Sequence, residues 1–315
     1  MLEAVKIIEY NNSMRSKVLN LFVMEYCISY KESERQFNLL YENEIQIHQA
    51  VKLVAVIQDK VIGFQSFFYW PYKQGRKKYH SFQSGNSIVD PNFRGKGIFG
   101  QLLKSAEKII TEKNIDFILG FPVSTSLGSF LRRKWLNEFN LQWYIKPISI
   151  SPIIFFKSSK KLNHKFNLKK QFHELKNLGY TVLDNSKLFS DYRNKLNDEK
   201  FYFKFEKEDI KVEFSLKLII RKKIFREIII GRVDFNFFDE ELMSEAFFDL
   251  IQQIKRIKKV NYVSFAISGN SPIYDRILKT HFFRKIKKEI FFIHKKFKPL
   301  NFDNLLIYRS DIDTW

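Results

Sequence analysis

The sequence predicts a mixed α/β protein made of two copies of one strand–helix unit, and three observations carry that expectation. Apolar runs of strand length alternate with stretches whose apolar residues recur at helical spacing. The layout then returns: Val89 lies 26 positions before a strand start at Ile115, and Val233 lies 27 before Val260. From Ile115 to Trp135 and from Val260 to Phe283 the intervals are 20 and 23. Finally, 315 residues that are 45% hydrophobic suffice for two domains with sizeable cores.

Residues 6–10 read as a short strand. Asn12 and Ser13 are cap-type residues ahead of a helix over 14–27, in which Val18, Leu19, Leu21, Phe22 and Tyr26 share one face. A second helix spans 31–44. Residues 51–57 and 61–69 flank Gln58-Asp59-Lys60 as a hairpin, and 79–89 is a further strand that stops at Asp90-Pro91. Leu102, Leu103, Ala106, Ile109 and Ile110 predict a helix over 98–113. Strand 117–121, helix 124–135 and strand 141–150 complete the first half. The basic, aperiodic stretch 157–170 reads as a linker between one domain over 1–156 and another over 171–315. In the latter, strands 227–233 and 260–267 alternate with helices 240–257 and 272–281.

Cys27 is the single cysteine, which excludes a disulfide scaffold and a cysteine-built metal centre, and no metal is expected. The start carries two acids and no secretory h-region, and the greasiest run, 148–156, is half a membrane span. A cytoplasmic protein without membrane insertion is the expectation. Formal net charge is +20, which favours polyanions. The excess is +7 over 1–150 and +13 over 151–315, spread along both halves of a chain rich in Lys, Asn, Ile and Phe. No helix-turn-helix, zinc-finger or RNA-recognition signature accompanies it, so nucleic acid is not the expected partner. Oligomeric state is not legible.

The segment that carries chemistry is Val89-Asp90-Pro91-Asn92-Phe93-Arg94-Gly95-Lys96-Gly97-Ile98-Phe99. A strand stops at proline, the chain turns through Arg-Gly-Lys-Gly, and a helix starts at once. Gly95 and Gly97 permit positive φ, so that successive N–H groups converge. The helix start adds unpaired donors and the positive dipole end, and Arg94 and Lys96 add mobile charge. Together these predict a pyrophosphate cradle. It is neither a P-loop nor a dinucleotide fingerprint, because neither glycine spacing is met.

This loop resembles motif A of the GCN5-related N-acetyltransferase (GNAT) superfamily, Arg/Gln-x-x-Gly-x-Gly/Ala, read here in Arg94-Gly95-Lys96-Gly97-Ile98-Phe99-Gly100. The order of elements over residues 3–150 is similar to that family as well. The resemblance implies two tandem GNAT-like domains, each a central mixed sheet flanked by helices. It implies that acyl-CoA, acetyl or 3-hydroxyacyl, lies between splayed fourth and fifth strands. Ile88, Val89 and Asp90 would pair with the pantetheine, Arg94 to Phe99 would hold the pyrophosphate, and Ser124, Ser126, Phe130 and Arg133 would line the rest. The family often places a proton-donating tyrosine where this chain has Phe130. A base found in some members, thirteen residues before the motif arginine, falls on Ser81 beside His80. His80 is then the candidate base, and Gln83 and Asn86 are candidates for holding the acceptor.

The second half lacks the loop: Asp234-Phe235-Asn236-Phe237-Phe238-Asp239 has no glycine and two acids. A second domain that binds no CoA is therefore expected. Asp311 and Asp313, if in a strand, share a face and would accept bonds from sugar hydroxyls or an ammonium. Tandem chains of this kind resemble acyltransferases of bacterial surface-polysaccharide (O-antigen, lipopolysaccharide) pathways that acylate nucleotide-linked amino sugars. Arg76, Lys77 and Lys78 would meet the diphosphate, and Trp70, Tyr72 and Tyr79 would stack. A different amine acceptor (a protein lysine, an aminoacyl group or an antibiotic) and a non-enzymatic, basic nucleic-acid-binding protein stay open as alternatives.

Overall fold

The computed structural model describes residues 4–149, 166–167, 169–170, 179–196, 200–257 and 260–313. Most of the expected linker 157–170 and most of the run 148–156 lie outside the described residues; where the linker is described, Phe166–Asn167 forms a short strand paired with Tyr202 and Phe203. From the N-terminus the chain forms β1 (Lys6–Glu9), α1 (Arg15–Tyr26), α2 (Tyr30–Tyr41), β2 (Val51–Ile57), β3 (Lys60–Tyr69), β4 (Tyr72–Gln74) and β5 (Lys77–Tyr79). Then come β6 (Ser81–Val89), α3 (Ile98–Glu112), β7 (Phe117–Gly120), α4 (Ser124–Leu131), β8 (Asn140–Pro147), β9 (Phe166–Asn167) and β10 (Thr181–Leu183). They are followed by α5 (Lys187–Leu196), β11 (Lys200–Lys207), β12 (Ile210–Arg221), β13 (Phe225–Phe235) and α6 (Glu240–Arg256). The last elements are β14 (Tyr262–Ser268), α7 (Pro272–Thr280), β15 (Arg284–Phe291) and β16 (Ile293–Lys296).

Two compact units result. The first comprises Met1–Pro71, Tyr79–Glu138 and Phe292–Leu300; the second comprises Tyr72–Lys78, Phe139–Phe291 and Asn301–Trp315. The first unit's sheet runs β1-β2-β3-β6-β7-β16, antiparallel except where β6 and β7 run parallel. The second unit's sheet runs β15-β8-β14-β13-β12-β11-β9, and its one parallel pair is β13 with β14. The layout repeats: in each sheet an antiparallel hairpin leads to a strand, a loop, a helix and a parallel partner strand.

Strand 141–150, expected to close the first half, pairs instead with β14 and β15 of the second sheet. The equivalent place beside β7 is taken by β16, from the far end of the chain. Each sheet is thus completed by a strand from the other half of the sequence. Such pairing is set by edges that meet only in the folded molecule, which local periodicity does not report.

The first unit's core forms where Leu102, Leu103, Ala106 and Ile110 of α3 pack on Val51, Leu53, Phe82, Ile118 and Ile293. The predicted face of that helix is therefore the observed one, since i, i+3 and i+4 positions line up on one side. The second core gathers Phe214, Ile228, Ile230 and Phe265 beneath Phe247, Leu250 and Ile254 of α6. Helix α2 stops at Tyr41 rather than 44, because the Asn43 carboxamide turns the chain by accepting from the Ile45 and Gln46 N–H groups. Strand 79–89 is broken at His80 into β5 and β6.

On β16 the fully buried His294 is pushed down to about 4, mainly by burial, with Glu138 opposing the shift. An unfolded imidazole titrates near ~6.5, so acid protonates the unfolded chain first. The stability this histidine contributes is complete above about pH 6.5 and is lost as pH falls toward its folded value. Melting curves from pH 7.5 to 4.5 are expected to show a fall of about 2–3 kcal/mol that His294→Gln largely removes. An unchanged slope in the variant would count against this account.

Candidate functional site

Strands β6 and β7 pair only from Ser81 opposite Phe117 to Ser84 opposite Gly120. Beyond that point β7 ends at Phe121-Pro122, where proline supplies no N–H, while β6 continues to Val89 against β3. The parallel pair therefore opens after Ser84, and the backbone of Gly85–Val89 is left facing the gap on that side. At the same place β6 carries a bulge: Asn86 and Ser87 lie opposite the single residue Gln65, and Asn86 has φ +47. Gly85 is required by packing, since a Cβ there would sit 2.5 Å from Cε1 of Phe68.

Past the opening comes the glycine loop. Asp90 is buried and fastens its start: one oxygen accepts from Asn92 N–H at 3.0 Å, the other from Lys60 at 2.9 Å. Burial would raise this carboxyl, but Lys60 and Asn92 outweigh it and hold it below the usual range. Gly95 and Gly97 stand at φ +78 and +75, the left-handed region that costs other residues about 1–2 kcal/mol. Nothing lies within 4 Å of where a Cβ would project from either. Gly97 is the α3 N-cap and provides no side-chain acceptor, and the first helical bond runs from Gln101 N–H to Gly97 C=O at 3.1 Å. The N–H groups of Ile98, Phe99 and Gly100 precede that bond and point out of the helix start. The Ile98 side chain itself is core.

Arg94 donates from Nε to the Val89 carbonyl at 2.9 Å and pairs through Nη2 with Glu25 of α1. Lys96 is exposed, its ammonium 5.0 Å above the Phe93 ring. These cations flank an array of unpaired donors at a helix start, which is an arrangement able to hold a diphosphate. The second unit offers a contrast. At the start of α6, Asp239 caps the helix by accepting from Leu242 N–H at 2.9 Å, and Glu240 and Glu241 follow in the first turn. That end is satisfied and negatively charged.

Several expected site residues have other work. Ser81 is fully buried and donates to the Trp70 carbonyl at 2.6 Å, so its hydroxyl is structural rather than catalytic. His80 is exposed at the paired end of β6, its backbone tied to Asp116 and its ring making no hydrogen bond among the described residues. Gly85 lies five positions further along the strand, about 16 Å at ~3.3 Å per residue, so His80 does not converge on the opening. Phe130 is 3% exposed, wedged between Phe99 at 5.3 Å and Trp135 at 5.0 Å, and is core rather than ligand wall. Arg133 is committed to Glu107, with which it makes two bonds. Ser126 folds onto the Val123 carbonyl and Ser124 is exposed at the start of α4.

Asp311 is fully buried within the second unit, one oxygen on Arg232 and the other accepting from Tyr308 N–H. It lies in a short helical turn over Arg309–Asp311, not a strand, so the shared face with the half-buried Asp313 does not exist and Asp311 is closed to an ammonium. Trp70, Tyr72 and Tyr79 are buried rings, unavailable for stacking on a base, while Arg76, Lys77 and Lys78 are exposed.

Of the acceptor candidates, Gln83 is buried and Asn86 sits on the bulge. Asn86 belongs to a polar network that the sequence reading missed. Tyr26 donates to its Oδ1 at 2.9 Å, and its Nδ2 donates to Tyr41, which is 2.6 Å from Ser66. Ser87 donates to Gln65, which in turn donates to Ser84 at 3.0 Å. The one sequence signal for this network is the polar pair Gln65-Ser66 inside an otherwise apolar strand.

Residues 16–125 match the model of the Acetyltransferase (GNAT) family. No curated protein matches the sequence significantly. Solved structures of similar fold include a GCN5-related N-acetyltransferase from Anabaena variabilis, with TM-score 0.67 at 13% identity, covering 93% of this chain and 73% of that one. Another is a GCN5-related N-acetyltransferase from Kribbella flavida, with TM-score 0.61 at 11% identity over 94% of this chain and 71% of that one. Saccharomyces cerevisiae N-myristoyltransferase with bound myristoyl-CoA aligns over 99% of this chain and 85% of its own, with TM-score 0.58 at 12% identity. The fold is that of GNAT proteins over nearly the whole chain. Among the described residues, no helix is long and apolar enough to cross a membrane.

Proposed function

We propose that this chain, with a GNAT match over residues 16–125 and a GNAT-like fold, transfers an acyl group from acyl-CoA to an amine. The observation that carries the reading is the parting of β6 and β7 after Ser84, next to unpaired N–H donors at the start of α3. The diphosphate would rest on the backbone from Gly95 to Gly100, with Arg94 and Lys96 beside it. The pantetheine would enter the gap and bond to the open side of β6. The neutral amine attacks the thioester carbon, and a β6 N–H near the bulge stabilises the oxyanion. Collapse expels CoA as thiolate, and the ammonium gives its proton to water. A thiol of pKa ~8.5 leaves without an acid, which agrees with the buried phenyl ring at position 130.

The acceptor in this proposal is a nucleotide-linked amino sugar, attacked in a ternary complex. Its support is the net charge of +20 and the exposed run Arg76-Lys77-Lys78, which favour a diphosphate-bearing substrate. The test is thiol release from acetyl-CoA and a 3-hydroxyacyl-CoA with a panel of nucleotide-linked amino sugars, free amino sugars and lysine peptides. Turnover confined to the nucleotide-linked amines supports the proposal; turnover confined to peptides overturns the acceptor and keeps the donor. His80→Ala is expected to stay within about twofold of wild type at pH 7, because its ring stands away from the opening. A loss of tenfold or more below pH 7 that recovers above pH 9 would restore His80 as the base.

A further inference from the structure

The second unit contains a small pocket, open to solvent, that no step above uses. Lys170, Arg193 of α5, Lys200 at the start of β11 and Arg232 of β13 all line it. Two carboxylates, Asp234 and Asp311, bond these cations, and a third, the buried Glu213, stands two residues before Ser215 on β12 with its charge acting on Tyr202 of the wall. Asp234 bonds Arg232 at 2.8 Å and Lys170 at 2.7 Å. Asp311 bonds Arg232 at 2.9 Å and Tyr308 N–H, with Arg193 at 3.7 Å. Burial, then the charges of Arg193, Lys217 and Lys170, push Lys200 well below the usual lysine range. A concentration of positive charge this deep is unfavourable unless an anion joins it.

A second, independent feature points the same way. The hydroxyls of Ser215 and Ser310, both on the cavity wall, are buried and have no hydrogen-bond partner among the described residues. Ser310 is only 4% exposed. Buried hydroxyls are ordinarily paired, and an orphaned one marks a place where a ligand or water belongs.

We propose that this cavity binds a small tetrahedral oxyanion of the phosphate class, with Lys200 and Arg193 neutralising it and Ser215 and Ser310 donating to its oxygens. Asp234 and Asp311 do not oppose it, because their oxygens already face cations and a backbone N–H, and Glu213 reduces the excess of positive charge without cancelling it. The same chemistry could be presented by free phosphate or by the phosphates of a nucleotide, and the experiment separates the two.

The test is thermal unfolding of the full chain in inorganic phosphate, in UDP and in chloride at matched ionic strength, run on wild type, Lys200→Met, Ser310→Ala and Arg94→Glu. A ligand that binds only the folded state raises its melting point. The expected result is a rise of several degrees in phosphate over chloride that persists in Arg94→Glu and is lost in both Lys200→Met and Ser310→Ala. An equal or larger rise in UDP assigns the site to a nucleotide phosphate; a rise in phosphate alone assigns it to the free ion. No rise in either overturns the proposal, with water then satisfying the two hydroxyls. A rise that survives Ser310→Ala but disappears in Arg94→Glu also overturns it, by placing the anion on the glycine loop. Ser310→Ala removes one oxygen atom, so it keeps the test open should Lys200→Met fail to fold.

Discussion

A chain truncated after residue 156 is expected to be insoluble, or to collapse without cooperative unfolding. The truncation removes β16, which pairs with β7 from Ile293 opposite Gly120 to Lys296 opposite Phe117. It takes Ile293 out of the first core and exposes β7 as an edge. It also strands β8, whose partners β14 and β15 are both lost, with Leu141, Trp143 and Tyr144 buried in the intact protein and uncovered without them. Expression of the fragment, followed by dye binding and urea unfolding, checks this. A soluble fragment with a single sharp transition would show that β16 is dispensable.

Glu107→Ala is expected to destabilise the first unit by about 2–4 kcal/mol, read by chemical denaturation. This carboxylate on α3 collects Arg133, the Trp135 indole N–H at 2.9 Å and Lys295 of β16 at 2.9 Å. Burial alone would raise it, but its three donors outweigh burial and hold it below the usual range. Removing it leaves a buried indole N–H without its acceptor and two cations without their counter-charge. The flanking cations are about a quarter exposed, which places the effect below that of a fully buried pair. Glu107→Gln retains an acceptor for Trp135 and should lose about half as much. A loss under 0.5 kcal/mol in Glu107→Ala would mean that water replaces the carboxylate at little cost.

What the sequence made legible divides along physical lines. The glycine loop was readable because its chemistry is local: two glycines at positive φ, a proline stop and a helix start are consecutive in the chain. Helix α3 was readable because its apolar residues repeat at its own period. Strand exchange was not, since β16 reads like any short strand and its partner residues lie 173 to 179 positions earlier. The same holds for charged residues. Arg133 and Asp311 look like surface ligands in the sequence, and only folding brings Glu107 to the first and Arg232, 79 positions away, to the second. His80 shows the reverse error, a reactive side chain whose neighbours in sequence reach the opening while it does not.

The proposed function requires one CoA site per chain, formed by the loop from Arg94 to Gly100. Arg94 is exposed and its ion pair with Glu25 is a surface one, so Arg94→Glu should leave the fold intact while placing two like charges beside the cradle. Calorimetric titration with CoA and acetyl-CoA, at an ionic strength of about 0.15 M, tests the claim most directly. The expected result is saturable binding of one CoA per chain, weakened at least ~100-fold in Arg94→Glu, about 2.7 kcal/mol. Two sites per chain, no saturable heat, or equal affinity in the variant would contradict it.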